Sequence, residues 1–431
     1  MLKAQILVAW LAICCGQVLL WRRRDNIFGY LQVGFFFSAI AIPVLGTDVV
    51  AQARPDVAER YADLLTTGAI AYLCGLLAGG RIARGMRLPR FSFAASLDET
   101  PGALALNARR VAVGGLVVLL GSFVLLGYVP ILAADRVSAK YGVGIYAAGF
   151  ARGSLFYNVA LLVCSTVLPV MLVLALRHRR LIDVAIAGAL FFGLVASLSR
   201  VQAFTGPLVF LIALAVERRW RAWAIVLGIC AAYVSGAAFN TLASLTPFAE
   251  GQSFATQVAA SAPDVTDQLA FLDGFAQRGN EHVGLKPIAA SLSLTKGEFN
   301  PATYALEVRT GLNDVTGLAS GGLRLPAPVW GYASYGAAGA AVWSAISGFF
   351  IGMGTVLLRR AVTPAFGRHG QVLNLVLAWV VFEGTFGVLG DFYFIPRVAV
   401  IGFGLAVVLG WRRAARPRRS APIRRVAPVG R

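Results

Sequence analysis

About eleven apolar runs, most close to the ~20 residues a helix needs to cross a bilayer, dominate this chain and leave few folds open to it. Inside lipid every backbone N–H and C=O must find its partner within the protein, so runs of this length read as helices. The charge content agrees: 14% of the 431 residues are charged, against about 25% for a soluble chain. The expected fold is an all-α polytopic membrane protein with about 11 transmembrane helices and one large outer (periplasmic or extracellular) loop.

The runs fall at Leu2–Trp21, Ile27–Leu45, Ala62–Gly80, Val111–Val129, Leu155–Leu176, Leu181–Leu198, Val201–Val216 and Ala222–Phe239, then Ala337–Leu358, Val372–Gly390 and Ile395–Trp411. Helices one to eight thus occupy residues 1–239, the large outer loop 240–329, and helices nine to eleven 330–411. An Arg/Pro-rich basic tail, 412–431, is expected to be cytoplasmic and disordered.

The formal net charge of +19 raises nucleic acid as a partner, but the distribution assigns it to topology. With the N-terminus outside and the C-terminus cytoplasmic, Arg22-Arg23-Arg24, Arg81 to Arg110, Arg177 to Arg180, Arg218 to Arg221, Arg359-Arg360 and the tail share one side. That side takes about 26 of the 39 Lys and Arg and about 5 of the 20 acids. Anionic lipid headgroups are the expected partner there. The outer side is close to neutral, so its individual charges need local explanations. Lys3 is the only early positive charge and Arg22-Arg23-Arg24 follows the first apolar run, so that run is expected to be a retained span and not a cleaved leader.

Cys14, Cys15, Cys74, Cys164 and Cys230 all lie in apolar runs without metal-ligand spacing and read as small hydrophobes. There is no phosphate-binding Gly-rich loop ending in Lys, no His-Glu-x-x-His and no Gly-x-Ser-x-Gly. No metal and no cofactor is expected. Chemistry falls to arginines and carboxylates at the outer membrane level. Arg200 sits in the tight turn between the sixth and seventh runs, where it either snorkels to the interface or binds phosphate. Glu383, inside the tenth run, is either a packing acid paired with an arginine or a general base. Asp391 and Arg397 flank the next turn as an ion pair or as part of the same cluster. Asp135, Arg136 and Arg152 bracket an outer loop with Tyr141 and Tyr146, a pattern that suits sugars or an interfacial aromatic belt. Arg278, Arg309 and Arg324 in the large loop are candidate phosphate or glycan contacts, or solvated charges.

Three stretches resemble the bacterial oligosaccharide repeat-unit polymerases, the Wzy-type O-antigen and exopolysaccharide polymerases. They are Gly127-Tyr128-Val129-Pro130-Ile131-Leu132 with Asp135-Arg136, Ser197-Leu198-Ser199-Arg200 running into Gly206-Pro207, and Pro328 to Gly339. The last, with Tyr332 and Tyr335, is similar to the aromatic-Gly-x-x-Gly pattern after that family's large outer loop. The acidic residue often seen before that tyrosine is absent, Trp330 and Gly331 standing there, and Arg200, Arg278, Arg309 and Arg324 do not fit an Arg-x(10)-Gly pattern.

The resemblance implies a metal-independent glycosyltransferase in the bacterial inner membrane. It would join undecaprenyl-pyrophosphate-linked repeat units into a surface polysaccharide at the outer face, beside a flippase and a chain-length regulator and without nucleic acid. Arg200 would stabilise the pyrophosphate leaving group, Glu383 or Asp391 would take the acceptor proton, and Arg136, Arg152, Arg278, Arg309, Arg324, Arg397, Tyr332 and Tyr335 would hold the glycan or phosphate. The rivals are an O-antigen ligase-like transferase and a polyprenyl-phosphate-sugar glycosyltransferase. The latter normally uses an acidic pair in its first outer loop, where Asp48, Asp56 and Glu59 lie. A polysaccharide flippase would instead place charges along a whole transmembrane path.

Overall fold

A computed structural model of the chain describes residues 1–86, 101–242, 256, 264–291, 299–315, 318, 323, 325–362 and 369–383. Every regular element among them is helical. The main ones are α1 (Leu2–Cys15), α2 (Ile27–Gly46), α3 (Pro55–Gly85), α4 (Pro101–Leu126), α5 (Ala147–His178), α6 (Leu181–Ala196), α7 (Arg200–Glu217), α8 (Ala222–Leu242), α9 (Asp264–Gln277), α10 (Pro301–Thr310), α11 (Ala327–Ala361) and α12 (Gly370–Phe382). Six segments are long and apolar enough to cross a membrane: α1 with its 3-10 extension, α2, α3, α4, a stretch built around α5, and α11. α6, α7, α8 and α12 provide shorter apolar helices. The chain is an all-α membrane protein; the expected eleventh run and the tail lie outside the described residues.

The architecture turns on α3 and α11, which pack along most of their lengths. Gly75-x-x-x-Gly79 on α3 meets Gly348-x-x-x-Gly352 on α11. A Cβ on Gly75 or Gly79 would collide with the carbonyls of Ala345 or Phe349; one on Gly348 or Gly352 would collide with those of Tyr72 or Leu76. The backbones therefore touch. In lipid, where burying an apolar side chain gains nothing over the acyl tails, close contact through small residues is what joins helices. The remaining helices form a second layer in which α4, α6, α7 and α12 all pack against α5, and α2 packs against α8. Asp183 of α6, fully buried, accepts from Arg109 of α4 at 2.6 and 2.8 Å, a pairing that answers the cost of burying its charge.

The two ends of the bundle differ chemically. At one, arginines cap the orphan carbonyls of helix C-termini. Arg24 donates to Arg219 and Trp220 at 3.0 and 2.7 Å, Arg359 to Leu20 at 2.7 Å, and Arg360 to Ala83 and Arg84 at 2.8 and 2.6 Å. Arg24 thus meets the Arg218 to Arg221 stretch, and Arg360 meets the start of the Arg81 to Arg110 stretch, members of clusters grouped by sequence on one side. At the other, the loop end, Lys3 Nζ donates to the Thr47 carbonyl at 3.0 Å. Trp10 Nε1 donates to Tyr61 Oη at 3.0 Å, and Tyr61 donates in turn to Gln268 Oε1 at 2.6 Å, tying α1, α3 and α9 together.

Two local expectations change. Residues 56–60, read as loop, are helical, because Pro55 starts α3 at a position where a missing N–H costs nothing and Asp56 suits the positive end. The large loop holds α9 and α10, which pack on each other. α9 buries Val265, Leu269, Phe271, Leu272 and Phe275 in a core shared with α1 and α3.

Candidate functional site: a cavity beside a helical hairpin

α11 is not one continuous helix. Tyr335 (φ −147°, ψ 29°) and Gly336 (φ 64°, ψ −153°) break it into a short piece, 327–334, and a long one, 337–361. Gly336 is the residue type that accepts this left-handed φ without strain. A Cβ on Gly331 would collide with the Gly339 carbonyl, and the reverse also holds. In a straight helix those residues stand about 12 Å apart, so the short piece folds back antiparallel along the long one. Pro328 and Ser344 both border Gly68 of α3, as such a hairpin requires. The aromatic-Gly-x-x-Gly stretch gains a physical meaning: Gly336 turns the chain and Gly339 lets the two arms touch.

The turn leaves the last carbonyls of the short arm without helical partners. A strap of the large loop supplies them: Val283 N–H donates to Ala333 at 3.0 Å and Gly284 N–H to Ser334 at 3.1 Å. Irregular backbone at a membrane edge is tolerated where protein satisfies it and where it lines a cavity.

Such a cavity is present. Asp56, Glu59, Arg60, Asp63 and Thr67 recur at the three- and four-residue steps of one helix face and, with Tyr332 and Ala337, line a hollow of about 360 Å³. Arg54 grips Asp56 at 3.2 and 2.7 Å and reaches Asp273 of α9 at 3.1 Å. Asp63 accepts from Gln5 of α1 at 3.2 Å. Glu59 makes no hydrogen bond or ion pair among the described residues and is exposed to the cavity mouth. Arg60 lies 5.8 Å over the Tyr332 ring and donates to Asn280 Oδ1 at 3.4 Å. Phe275 and His282 set the Tyr332 ring from the side, with centroids 5.8 and 6.1 Å away. Carboxylates here suit sugar hydroxyls, as acceptors or as a base; Arg60 suits a phosphate oxygen pair.

The cap beside the cavity has its own electrostatics. Arg309 Nη2 stands 3.0 Å from Asp267 Oδ1. Burial nevertheless pushes the Asp267 carboxyl up to about 6, Arg309 opposing the rise and Asp264 adding to it. Burial likewise pushes the Tyr304 hydroxyl up to about 12.

Of the residues named from sequence, Tyr332 lines the cavity and Tyr335 makes the turn. Arg278 donates to the carbonyls of Glu307 and Leu312 at 2.7 and 3.3 Å, closing the end of α10, and Arg309 pairs with Asp267. Arg136 donates to Ile131 at 3.1 Å and Arg152 to Ala148 at 3.3 Å, both local. Arg200 opens α7 after a turn in which buried Leu198 takes φ 54°. Glu383 ends α12, exposed. Arg324, Asp391 and Arg397 lie outside the described residues. The cavity walls carry three carboxylates and one guanidinium, and of the residues named from sequence only Tyr332 is among them. Asp63, Thr67 and Arg60 were not singled out, although their helical spacing is readable once α3 is started at Pro55.

A larger hollow of about 870 Å³ runs between α2 and α8, lined by Val33, Phe37, Leu45, Trp223, Leu227 and Cys230 among others, and offers no group for chemistry. No protein-family model, no curated protein and no solved structure matches this chain.

Proposed function

We propose that the chain is a membrane glycosyltransferase that joins polyprenyl-pyrophosphate-linked repeat units into a polysaccharide, with its chemistry in the cavity between α3 and the hairpin. The observation that carries this reading is the cavity itself: Glu59 without a hydrogen-bond or ion-pair partner among the described residues, Asp56 and Asp63 held beside it, and Arg60 and Tyr332 on the same walls. A leaving group already carrying pyrophosphate needs only charge stabilisation, which Arg60 offers, and an acceptor hydroxyl needs a base, for which Glu59 is placed. The positive-inside distribution supports a reading in which the loop end, and so the cavity, faces away from the cytoplasm, as the proposed activity in the bacterial inner membrane requires. The apolar hollow of about 870 Å³ ends at Gly46, next to Thr47 and its Lys3 contact, and supports a reading in which a polyprenyl chain lies along α2 with its head toward that end.

A second reading draws on the same acids. Asp56 and Glu59, from the stretch read as the first outer loop, share the cavity, as a polyprenyl-phosphate-sugar transferase with a carboxylate pair would arrange them. Purified protein in proteoliposomes separates the two. Polymerisation predicts that a pyrophosphate-linked oligosaccharide lengthens in steps of one repeat unit and releases the polyprenyl pyrophosphate. Transfer of a single sugar from a polyprenyl monophosphate, with no lengthening of the oligosaccharide, overturns the polymerase reading in favour of the second.

A further inference from the structure

The strap that caps the hairpin also borders the cavity. Asn280 at its start bonds Arg60 of the cavity wall, the His282 ring stands 6.1 Å from the Tyr332 ring, and a Cβ on Gly284 would lie 3.6 Å from Tyr335 Oη. Its hold on the protein is slight. Glu281, His282 and Leu285 are exposed, Val283 and Gly284 are half-buried, and none of these side chains enters the core. Gly279 (φ 74°), Asn280 (φ 55°) and Gly284 (φ 60°) place left-handed backbone at both of its ends. Its start is tied to the end of α9 by the Asn280 N–H, which donates to the Phe275 carbonyl at 3.0 Å; beyond that point it is fixed by the pair of N–H bonds from Val283 and Gly284, the His282 ring against Phe275 and Tyr332, and the long Arg60–Asn280 bond at 3.4 Å. A segment with so little buried surface belongs to the low-stability part of a fold, the part from which lids are drawn.

We propose that residues 280–284 form a displaceable lid on this cavity, latched by Arg60 through Asn280 and released when an anionic group takes the guanidinium. The inference rests on the cavity being the substrate site and adds its regulation. A guanidinium–phosphate pair is short and charge-assisted, whereas Arg60 now holds a neutral amide at the outer edge of hydrogen-bond range, so an entering phosphate displaces Asn280. With the strap lifted, the Ala333 and Ser334 carbonyls become free acceptors at the rim between Tyr332 and Ala337, where hydroxyls of a bound glycan replace the two strap N–H groups.

Hydrogen–deuterium exchange of the full chain in lipid nanodiscs tests this, with inorganic pyrophosphate as the probe. Asn280→Ala is expected to speed exchange at the Val283 and Gly284 amides about fivefold, the scale of one modest hydrogen bond. Saturating pyrophosphate on the unaltered chain is expected to do the same, while α9 and the Gly75–Gly79 stretch keep their protection. Strap exchange that neither change moves overturns the lid. So does acceleration that spreads through α9, which would make the strap part of one rigid cap. Acceleration by Asn280→Ala alone overturns it too, because the latch would then not answer to an anion. Glycosyl transfer is not read in this experiment, so the lid can fail while the proposed function stands, and an inactive protein with a pyrophosphate-responsive strap leaves the lid intact.

Discussion

Arg60 and Arg360 belong to the same pair of packed helices and stand at its opposite ends, yet they meet different company. Arg360 donates to Ala83 and Arg84, backbone carbonyls that a helix C-terminus leaves without partners. Arg60 faces a cavity with Asp56, Glu59 and Asp63 around it, lies over an aromatic ring, and among the described residues holds one long bond, to Asn280. Both ends use cations to close helices, Arg278 among them at the loop end, but the loop end also keeps a cation and three carboxylates beside open space. A charged side chain therefore says little about function until the backbone groups near it are counted. Arg278, Arg24 and Arg359 are caps by this criterion.

The largest effect should come from the seam that joins the two ends. Gly348→Leu would drive a side chain into the Tyr72 carbonyl and is expected to abolish a folded, monodisperse protein in detergent. Gly121→Leu, at a position with nothing within 4 Å, should elute normally. Next comes the loop end. Glu59→Gln removes a carboxylate that has no partner among the described residues and is expected to lower the rate of repeat-unit joining by about 10²–10⁴-fold with the melting temperature unchanged. A rate within a factor of two of the original would remove Glu59 from the chemistry. Tyr61→Phe breaks the link from Trp10 to Gln268 and should cost about 1–3 kcal/mol of stability, read by thermal unfolding, since it removes two buried hydrogen bonds and the hydroxyl that accepts from Trp10. The smallest effect concerns pH. Asp267 titrates near 6 when folded and near 3.8 otherwise, so its contribution to stability is full below about 4 and is lost as pH rises through 6. Asp267→Asn should flatten the melting temperature between those values, and an unchanged slope would assign the pH response to another group.

Much of the scaffold was legible because lipid imposes it. Helix bounds such as Ile27–Gly46 and Leu181–Ala196 fall within two residues of those read from hydropathy. The expected start at Ala337 coincides with the break in α11, because the long apolar run begins there. The short arm before it, 327–334, is too brief to register as a run and becomes visible only through Gly331 meeting Gly339. The two small-xxx-small pairs were present in the sequence but separated by more than two hundred and sixty residues, and nothing local says which glycines face each other. The carboxylate face of α3 was hidden by an assignment to loop: once Asp56 and Glu59 are non-helical, their spacing to Asp63 and Thr67 carries no information. The arginines of the large loop were readable as cations, but whether a helix ends beside them is a property of the fold.

Whether the two ends of the bundle do different work is tested most directly by one paired measurement. Arg60→Ala and Arg360→Ala are made in the full chain, and polymer length and melting temperature are recorded for both in the same membranes. Arg60→Ala is expected to leave only single lipid-linked repeats at an almost unchanged melting temperature, and Arg360→Ala to keep long polymer while melting lower. Long polymer from Arg60→Ala, or its loss from a stably folded Arg360→Ala protein, would contradict the assignment of chemistry to the cavity.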